Sequence, residues 1–238
     1  MVNREYFEIH EARYKYISAK TEKMTKGKVL DVGCYPGHMG EIWEKQGWEV
    51  WGICSPFEKM ESNRVKAINV EKEKWPFEDE SMDLVVMTEI IEHLTDDSKK
   101  YLGEAFRVLK KGGKILITTP NIVRWQNVIK MIFGKNIYFP IKQLAEEIYY
   151  RHNREFTMDE LEMILKESGF SIFEKDFFIG YPPYRERNKK DSLGLKAIKW
   201  TNYLLSLVTP NRRDNLYIVG EKVHKFRYIL DSLKSNEL

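Results

Sequence analysis

Short apolar segments alternate with amphipathic segments along most of this chain. Seven segments have strand character: residues 28–33, 49–54, 66–70, 82–87, 114–119, 170–178 and 215–223. The consecutive apolar residues Leu84, Val85 and Val86 are typical of a strand that is buried on both faces. We expect the last two segments, 170–178 and 215–223, to form an antiparallel edge of the sheet.

Helical periodicity fills the gaps between the candidate strands. Apolar residues recur every three or four positions in residues 38–46 and 98–109, and Gly112 is expected to end the second helix. Thr157 and Glu160 have the spacing of a capping box, which predicts a further helix start. Strands that alternate with helices predict an α/β fold with a largely parallel sheet and helices on both faces.

Two segments are too long to be ordinary connections, namely about residues 121–155 and 181–214. Each follows a predicted strand end, where open parallel sheets bind their ligands, so we expect both to be lids. They carry formal charges of +3 (from residue 122) and +5, whereas the rest of the chain carries −5. Positive charge is therefore concentrated in the predicted lids.

Composition narrows the class of protein. Hydrophobic residues make up 42% of the 238 residues and charged residues 32%, which excludes a mostly disordered chain. We expect no membrane insertion, because no apolar run approaches the ~18 residues that a span needs. The charged N-terminal segment predicts no secretory signal, and two cysteines fit a reducing cytoplasm. A net charge of +3 gives no reason to expect a nucleic-acid partner.

The strongest local signal is a strand, a glycine turn and a helix between residues 28 and 46. Gly33 and Gly37 allow a tight turn and a close approach of the backbone to a ligand. Asp31 precedes the turn, where it would repel a pyrophosphate and attract an ammonium group. A dinucleotide site would instead favour the spacing G-x-G-x-x-G, which disfavours a nicotinamide-dependent oxidoreductase.

Several motifs in one order are similar to those of the class I S-adenosylmethionine-dependent methyltransferases. The turn resembles the family's D/E-x-G-x-G-x-G loop. Further resemblance lies in WPFEDESMDLVV (75–86), TEIIEHL (88–94), RVLKKGGK (107–114), TPN (119–121) and the segment 152–170. The resemblance covers roughly residues 10–180 and 215–223. Its closest parallels are O-methyltransferases of the ubiquinone pathway and of sugar or cell-envelope biosynthesis.

This resemblance implies a Rossmann-like, doubly wound, seven-stranded sheet, mostly parallel with an antiparallel last strand. It implies one domain over residues 1–238, with a cap helix at about 1–25 and the two lids. The implied cofactor is S-adenosylmethionine, and the implied partner is a small-molecule acceptor whose hydroxyl group is methylated. A homodimer is compatible with this pattern.

The resemblance also implies a set of cofactor-binding and catalytic residues. Asp31, Gly33 and Gly37 would face the methionine part, and Arg13 would pair with its carboxylate or lie on the surface. The implied cofactor-binding residues are Arg13, Asp31, Gly33, Cys34, Gly37, Cys54, Ser55, Asn69, Glu71 and Glu89. The candidate catalytic residues, which would take the hydroxyl proton, are His93, Asn121 and His152. A packing role for His93 is the alternative.

Two positions depart from the family pattern. Cys54 and Ser55 stand where an acid usually holds the ribose hydroxyls, and neither is a bidentate anionic acceptor. Asn69 stands where the family usually has an acid that binds the adenine, and Glu71 is a second candidate for that role. Loss of a charge-assisted bond would weaken binding by roughly 1.5–3 kcal/mol. Three outcomes remain open: another acid binds the ribose, cofactor binding is weak, or the protein is a catalytically silent binding or partner subunit.

The predicted lids would define the acceptor. Aromatic residues at 137–140 and at Tyr149 and Tyr150, together with a basic cluster, suggest an acceptor with an anionic group and an apolar or sugar part. That cluster consists of Arg185, Arg187, Lys189, Lys190, Arg212 and Arg213, and a solvated loop is its alternative. The amphipathic segment 193–208 suits core packing, a dimer contact or a lipid-linked acceptor.

No metal site is expected from the sequence. Cys34 and Cys54 would lie on adjacent strands, where a redox pair or half a metal site is conceivable, but buried apolar cysteines are more common. His10, His38, His152 and His224 show no metal-ligand spacing with the cysteines.

Overall fold

A computed structural model describes residues 4–58, 62–95, 98–138, 151–183 and 192–223. Its strands are β1 (Lys28–Val32), β2 (Glu49–Cys54), β3 (Val65–Ala67), β4 (Met82–Thr88), β5 (Leu109–Pro120), β6 (Phe170–Phe178) and β7 (Asn215–Lys222). They form one sheet in the order β3-β2-β1-β4-β5-β7-β6. Neighbours from β3 to β5 are parallel, and β7 is antiparallel to both β5 and β6. The predicted fold class is confirmed.

Within the described ranges, six α-helices accompany the sheet. They are α1 (Arg4–Glu22), α2 (His38–Lys45), α3 (Ser98–Val108), α4 (Trp125–Ile132), α5 (Met158–Glu167) and α6 (Leu193–Val208). Short 3₁₀ turns cover Ile91–His93 and Pro210–Arg212. The capping box at α5 is confirmed, because Thr157 Oγ1 accepts from Glu160 N–H and Glu160 Oε2 accepts from Thr157 N–H. Within the described part of the chain, no helix combines the length and the apolar character that crossing a bilayer requires.

The central strands are apolar at successive positions because each face of the sheet is covered. Val29 and Leu84 share one core with Trp43 of α2 and with α1. Leu30 and Val85 lie in the opposite core, which α3 and α5 complete. Side chains alternate between the faces, so a strand buried on both sides needs apolar residues throughout.

The prediction that Gly112 ends α3 is wrong. The strand β5 begins at Leu109, directly after α3, and Gly112 lies inside it with a φ of +72°. The pairing with β4 shifts register between Met82 and Leu84, opposite Leu109 and Lys114. Gly112 therefore serves a bulge rather than a helix end.

Each predicted lid contains a helix that the structure describes. The helix α4 occupies part of the first segment and was not predicted, whereas α6 matches the predicted amphipathic helix at residues 193–208. Residues 139–150 and 184–191 lie outside the described residues. Both helices border the carboxyl edge of the sheet, where the candidate site lies.

Candidate functional site

The glycine bend joins the carboxyl end of β1 to α2. The N–H groups of Gly33 and Cys34 both donate to the carbonyl of Ile53, at 2.8 and 3.0 Å, which fixes the bend against β2. Gly33 and Gly37 have φ values of +82° and +97°, a region that favours glycine. A Cβ atom at Gly33 would lie 2.7 Å from Ile90 Cδ1. The bend thus requires glycine both for its conformation and for its close packing.

Asp31 is a buried carboxylate beside this bend. Its side chain is 3% exposed, and Oδ1 has no hydrogen-bond partner among the residues that the structure describes. Burial raises the pKa of Asp31 to about 7. An uncompensated buried carboxylate is costly, and an ammonium group beside it would relieve that cost. The geometry therefore suits the amino group of an amino-acid ligand.

The N-terminal half of α1 covers the bend. The ring of His38, at the start of α2, lies 6.0 Å from that of Tyr6, 5.3 Å from Phe7 and 5.7 Å from Tyr14. This aromatic contact places the N-terminal half of α1 against the start of α2, directly after the bend. It also means that α1 is the element whose displacement would open the bend.

Arg13 and Glu89 form a buried ion pair between α1 and the end of β4. Arg13 Nη1 lies 3.2 Å from Glu89 Oε2, and their side chains are 7% and 11% exposed. Glu89 also accepts from Thr118 Oγ1 at 3.0 Å and from Asn215 Nδ2 at 3.0 and 3.1 Å. These partners hold Glu89 at a φ of +53°, a conformation that costs a non-glycine residue about 1–3 kcal/mol. Strain of this kind, held by several partners, is typical of functional sites.

A carboxylate that the sequence analysis missed lies at the end of β2. Cys54 is buried, and the turn that follows brings Glu58 back, with Glu58 N–H donating to Ser55 O at 3.0 Å. Glu58 Oε2 accepts from Ser55 N–H at 3.2 Å, and burial raises the pKa of Glu58. Proline after Ser55 was an available turn signal. The Glu58 carboxylate thus lies at the end of β2, where the sequence alone indicated no acid.

Asn69 and Glu71 shape the loop after β3. Asn69 Oδ1 accepts from Glu71 N–H at 3.0 Å, and Asn69 N–H donates to Glu73 Oε1 at 2.7 Å. Glu71 Oε1 accepts from the backbone N–H of Thr95, which ties this loop to the segment after β4. Both side chains therefore stabilise the edge at which the adenine site was predicted.

His93 and His152 meet at the cleft. Their rings pack edge to face with centroids 4.9 Å apart. His93 Nδ1 lies 3.1 Å from the carbonyl oxygen of Arg151, and His152 Nδ1 lies 2.9 Å from Glu155 Oε1. Burial and the neighbouring His152 lower the pKa of His93 to about 4, against the opposing effect of the Arg151 carbonyl. His93 is therefore neutral at physiological pH.

Glu155 and Glu92 differ in their surroundings. Burial opposes ionisation of Glu155, but hydrogen bonds from His152 and Arg124 outweigh it and lower its pKa to about 2. Burial and the charge of Glu89 instead raise the pKa of Glu92. The surroundings of Glu155 therefore stabilise its ionised form, whereas those of Glu92 disfavour ionisation.

Asn121 has its amide group fully engaged by the backbone. Nδ2 donates to the carbonyls of Asn211 and Arg213, at 3.0 and 2.9 Å, and Oδ1 accepts from Val123 N–H at 3.2 Å. These bonds tie the start of the first predicted lid to the 3₁₀ turn Pro210–Arg212. The geometry favours a positioning role for Asn121 over proton transfer.

A cleft of about 960 Å³ opens beside these groups, between α1, α4 and α6. Arg13, Glu89 and His93 line it, and Asp31 is not among its lining residues. Besides Arg13, its cationic lining comes from the described parts of the predicted lids: Arg124, Lys130, Lys135, Lys196 and Lys199. Phe133 and Trp200 supply aromatic surface.

Four of the six residues in the predicted basic cluster lie outside the described residues, and the other two do not line the cleft. Arg212 donates to the carbonyl of Val123 and Arg213 to that of Phe177, and neither lines the cleft. The predicted residues outside the described part are Phe139, Pro140, Tyr149, Tyr150, Arg185, Arg187, Lys189, Lys190 and His224. Cys34 and Cys54 are both buried and are not joined by a disulfide.

Comparisons with known proteins agree on one family. A family profile described as "Methyltransferase domain" matches residues 3–175. A probable S-adenosylmethionine-dependent methyltransferase of Mycolicibacterium smegmatis is 26% identical over 172 residues, covering 70% of this chain and 60% of the relative. The ubiquinone biosynthesis O-methyltransferase of a Bradyrhizobium strain is 25% identical over 168 residues, covering 67% and 64%. The chain thus spans less than two thirds of the length of these relatives.

The fold is shared with a solved structure. The crystal structure of an S-adenosylmethionine-dependent methyltransferase from Archaeoglobus fulgidus superimposes with a TM-score of 0.60 at 18% identity, covering 91% of this chain and 98% of that one.

Proposed function

Because this chain belongs to the family of S-adenosylmethionine-dependent methyltransferases, we propose that it transfers a methyl group to a hydroxyl of a small-molecule acceptor with an anionic group. The observation that carries this proposal is the buried Asp31 carboxylate beside the glycine bend, whose Oδ1 has no hydrogen-bond partner among the described residues. A silent subunit is less well supported, because Glu58 supplies the acid that the sequence lacked at the end of β2.

The residues at the carboxyl edge of the sheet can be assigned to successive parts of S-adenosylmethionine, from its amino-acid end to its adenine. Asp31 would accept hydrogen bonds from its ammonium group, and the bend would allow close approach of its amino-acid part. Arg13, although paired with Glu89, has a buried Nε without a partner in the described chain and is suited to the carboxylate. Glu58 would accept from the ribose, and Asn69 would face the adenine. Entry requires displacement of the N-terminal half of α1.

At the acceptor end of the site, residues must orient the acceptor hydroxyl and accept its proton. When bound, the cofactor supplies a methyl group on a positively charged sulfur, which becomes a neutral thioether as the acceptor oxygen takes the methyl. The acceptor hydroxyl then loses its proton. His93 is neutral at pH 7, so its Nε2 can accept that proton. The transfer becomes favourable because the hydroxyl becomes more acidic as its oxygen is methylated. The low pKa of His93 makes it a weak base for a free hydroxyl. His152 and Asn121 would keep this end of the site in position.

The ribose assignment predicts the effect of Glu58→Gln. Glutamine keeps an acceptor oxygen but loses the charge, so the Kd of S-adenosylmethionine should rise by about 10-fold, or ~1.4 kcal/mol. Isothermal titration calorimetry would measure it. The matched control is Glu49→Gln at the opposite end of β2, where the Kd should stay unchanged. Equal Kd values for both variants would rule out Glu58 as the ribose acid.

The cationic cleft predicts a preference for anionic acceptors. In a methyl-transfer screen of sugars and phenols with and without a phosphate group, the phosphorylated members should be the better substrates. Lys130→Glu together with Lys135→Glu should raise the KM of a phosphorylated acceptor by at least about 10-fold and spare its neutral counterpart, because each lost ion contact is worth ~1 kcal/mol or more. Lys45→Glu, on the exposed end of α2, is the charge control. A preference for neutral acceptors would contradict this part of the proposal.

A further inference from the structure

Three metal-ligating side chains converge at the cleft wall. Glu92, His93 and His152 each offer one ligand atom, and these atoms lie within 4.8 Å of one another. His93 Nε2 is 3.8 Å from Glu92 Oε1. The sequence predicts no metal site, because its histidines show no metal-ligand spacing with the cysteines. The fold instead brings His152, from the far end of the first predicted lid, against the Glu92–His93 pair.

Each of the three groups is oriented by a partner on its other polar atom. The carbonyl of Arg151 binds His93 at Nδ1, and Glu155 binds His152 at Nδ1. Thr119 Oγ1 donates to Glu92 Oε2 at 2.9 Å. A histidine whose Nδ1–H donates to a carbonyl or carboxylate presents Nε2 as its ligand atom, and such outer partners are typical of metal sites.

The orienting carboxylate is itself held in place. Glu155 accepts from both terminal nitrogens of Arg124, at 2.6 and 2.9 Å, and from Asn127 Nδ2 at 3.1 Å. This network keeps Glu155 ionised and the His152 ring fixed. Packing of the two imidazole rings alone would not require this network of hydrogen bonds.

Glu92 provides independent evidence for a cation. Its side chain is 1% exposed, and Oε1 is buried without a hydrogen-bond partner within the ranges that the structure describes. Arg13 is paired with Glu89 instead. A buried carboxylate oxygen without compensation is destabilising, so this atom is suited to a cation that enters from the cleft.

We propose that Glu92, His93 and His152 bind one divalent transition-metal ion. Two imidazoles and one carboxylate suit Zn²⁺, Mn²⁺ or Fe²⁺ better than a hard ion that prefers oxygen ligands alone. Ligands at about 2.1 Å from a tetrahedral ion lie ~3.4 Å apart, so ligand atoms that lie within 4.8 Å of one another must approach by up to about 1.4 Å. Three protein ligands leave coordination positions open on the side of the cleft.

The open positions give the ion a role at the acceptor, a step that rests on the proposed function. A hydroxyl bound to a divalent ion has a lower pKa and can lose its proton to water. In that state His93 acts as a ligand rather than as a base.

The test is metal binding by the full chain without cofactor or acceptor. After treatment with EDTA and its removal, calorimetric titration with ZnCl₂ or MnCl₂ should show one saturable site. His152→Gln and His93→Gln should each weaken it by at least about 100-fold, and Glu155→Gln by about 10-fold, as expected for a ligand and for an outer partner. The control Cys34→Ser with Cys54→Ser should bind as the unchanged protein does. Circular dichroism verifies that each variant is folded.

Cobalt(II) provides a spectroscopic readout that a purely structural role of the histidines would not produce. Visible absorption of the Co²⁺-loaded protein should indicate nitrogen and oxygen ligands without a thiolate band, and folded His152→Gln should lose it. No saturable site in the unchanged protein, or binding that survives both histidine substitutions, would overturn the proposal. Calorimetry with S-adenosylmethionine on the metal-free protein separates the two hypotheses: cofactor binding without a metal site rejects only this inference, and the reverse rejects the proposed function.

Discussion

Replacement of Asp31 by asparagine is expected to raise the Kd of S-adenosylmethionine by about 30-fold to 1,000-fold. Asparagine keeps the size of the side chain but removes the negative charge that would face the ammonium group. Loss of one partner from a buried charge pair costs about 2–4 kcal/mol, which corresponds to that range. Calorimetric titration of both proteins at pH 8 measures it.

The pH dependence of binding provides a second readout for the same residue. Asp31 has a pKa of about 7 in the free protein, so below this pH it is largely protonated. The bound ammonium group favours the ionised form, and binding must then release a proton. The affinity should therefore fall as the pH drops below 7, by up to about 10-fold per unit, and Asp31→Asn should lose this dependence.

Asp79→Asn is the matched control, because Asp79 is 72% exposed and pairs with Arg107 at the surface. Its Kd and pH dependence should equal those of the unchanged protein. If Asp31→Asn behaved in the same way, Asp31 would have no part in cofactor binding.

Glu89→Ala is expected to be the most destabilising of the site substitutions. It leaves the Arg13 guanidinium buried without its carboxylate, a change that typically costs about 3–5 kcal/mol of unfolding free energy. For a chain of this length that loss corresponds to a fall in Tm of roughly 6–20 °C. Denaturant unfolding followed by circular dichroism, with a thermal scan beside it, would measure both.

Two comparisons isolate the buried pair. Lys15→Ala breaks an exposed pair with Glu11 on the same helix and should change stability by less than about 1 kcal/mol. Arg13→Met combined with Glu89→Met removes both charges and should cost less than Glu89→Ala alone. If Glu89→Ala and Lys15→Ala had equal effects, the Arg13–Glu89 pair would not stabilise α1 over the site.

The sequence predicted the fold well because the central strands are buried on both faces. Continuous apolar runs such as the one that contains Val85 and Val86 need no tertiary information to be recognised. The end of α3 was mispredicted because glycine serves a helix end and a strand bulge equally well. Gly112 has a positive φ in either setting, and only the pairing with β4 decides between them.

The site was predictable where its residues are close in sequence. Asp31, Gly33 and Gly37 lie on one turn, so their spacing alone suggested a ligand. Glu58 escaped notice because a turn, rather than the strand register, returns its carboxylate to the end of β2. His152 and Glu92 come from segments that meet only after folding, so no spacing along the chain could have connected them.

The most direct test of the central claim is a crystal structure of the protein with S-adenosylhomocysteine, which has the same amino-acid part. The account predicts that the ligand's amino nitrogen lies within hydrogen-bonding distance of Asp31, with α1 displaced from its contact with His38. A ligand bound elsewhere, with Asp31 still buried and unpartnered beneath α1, would contradict it.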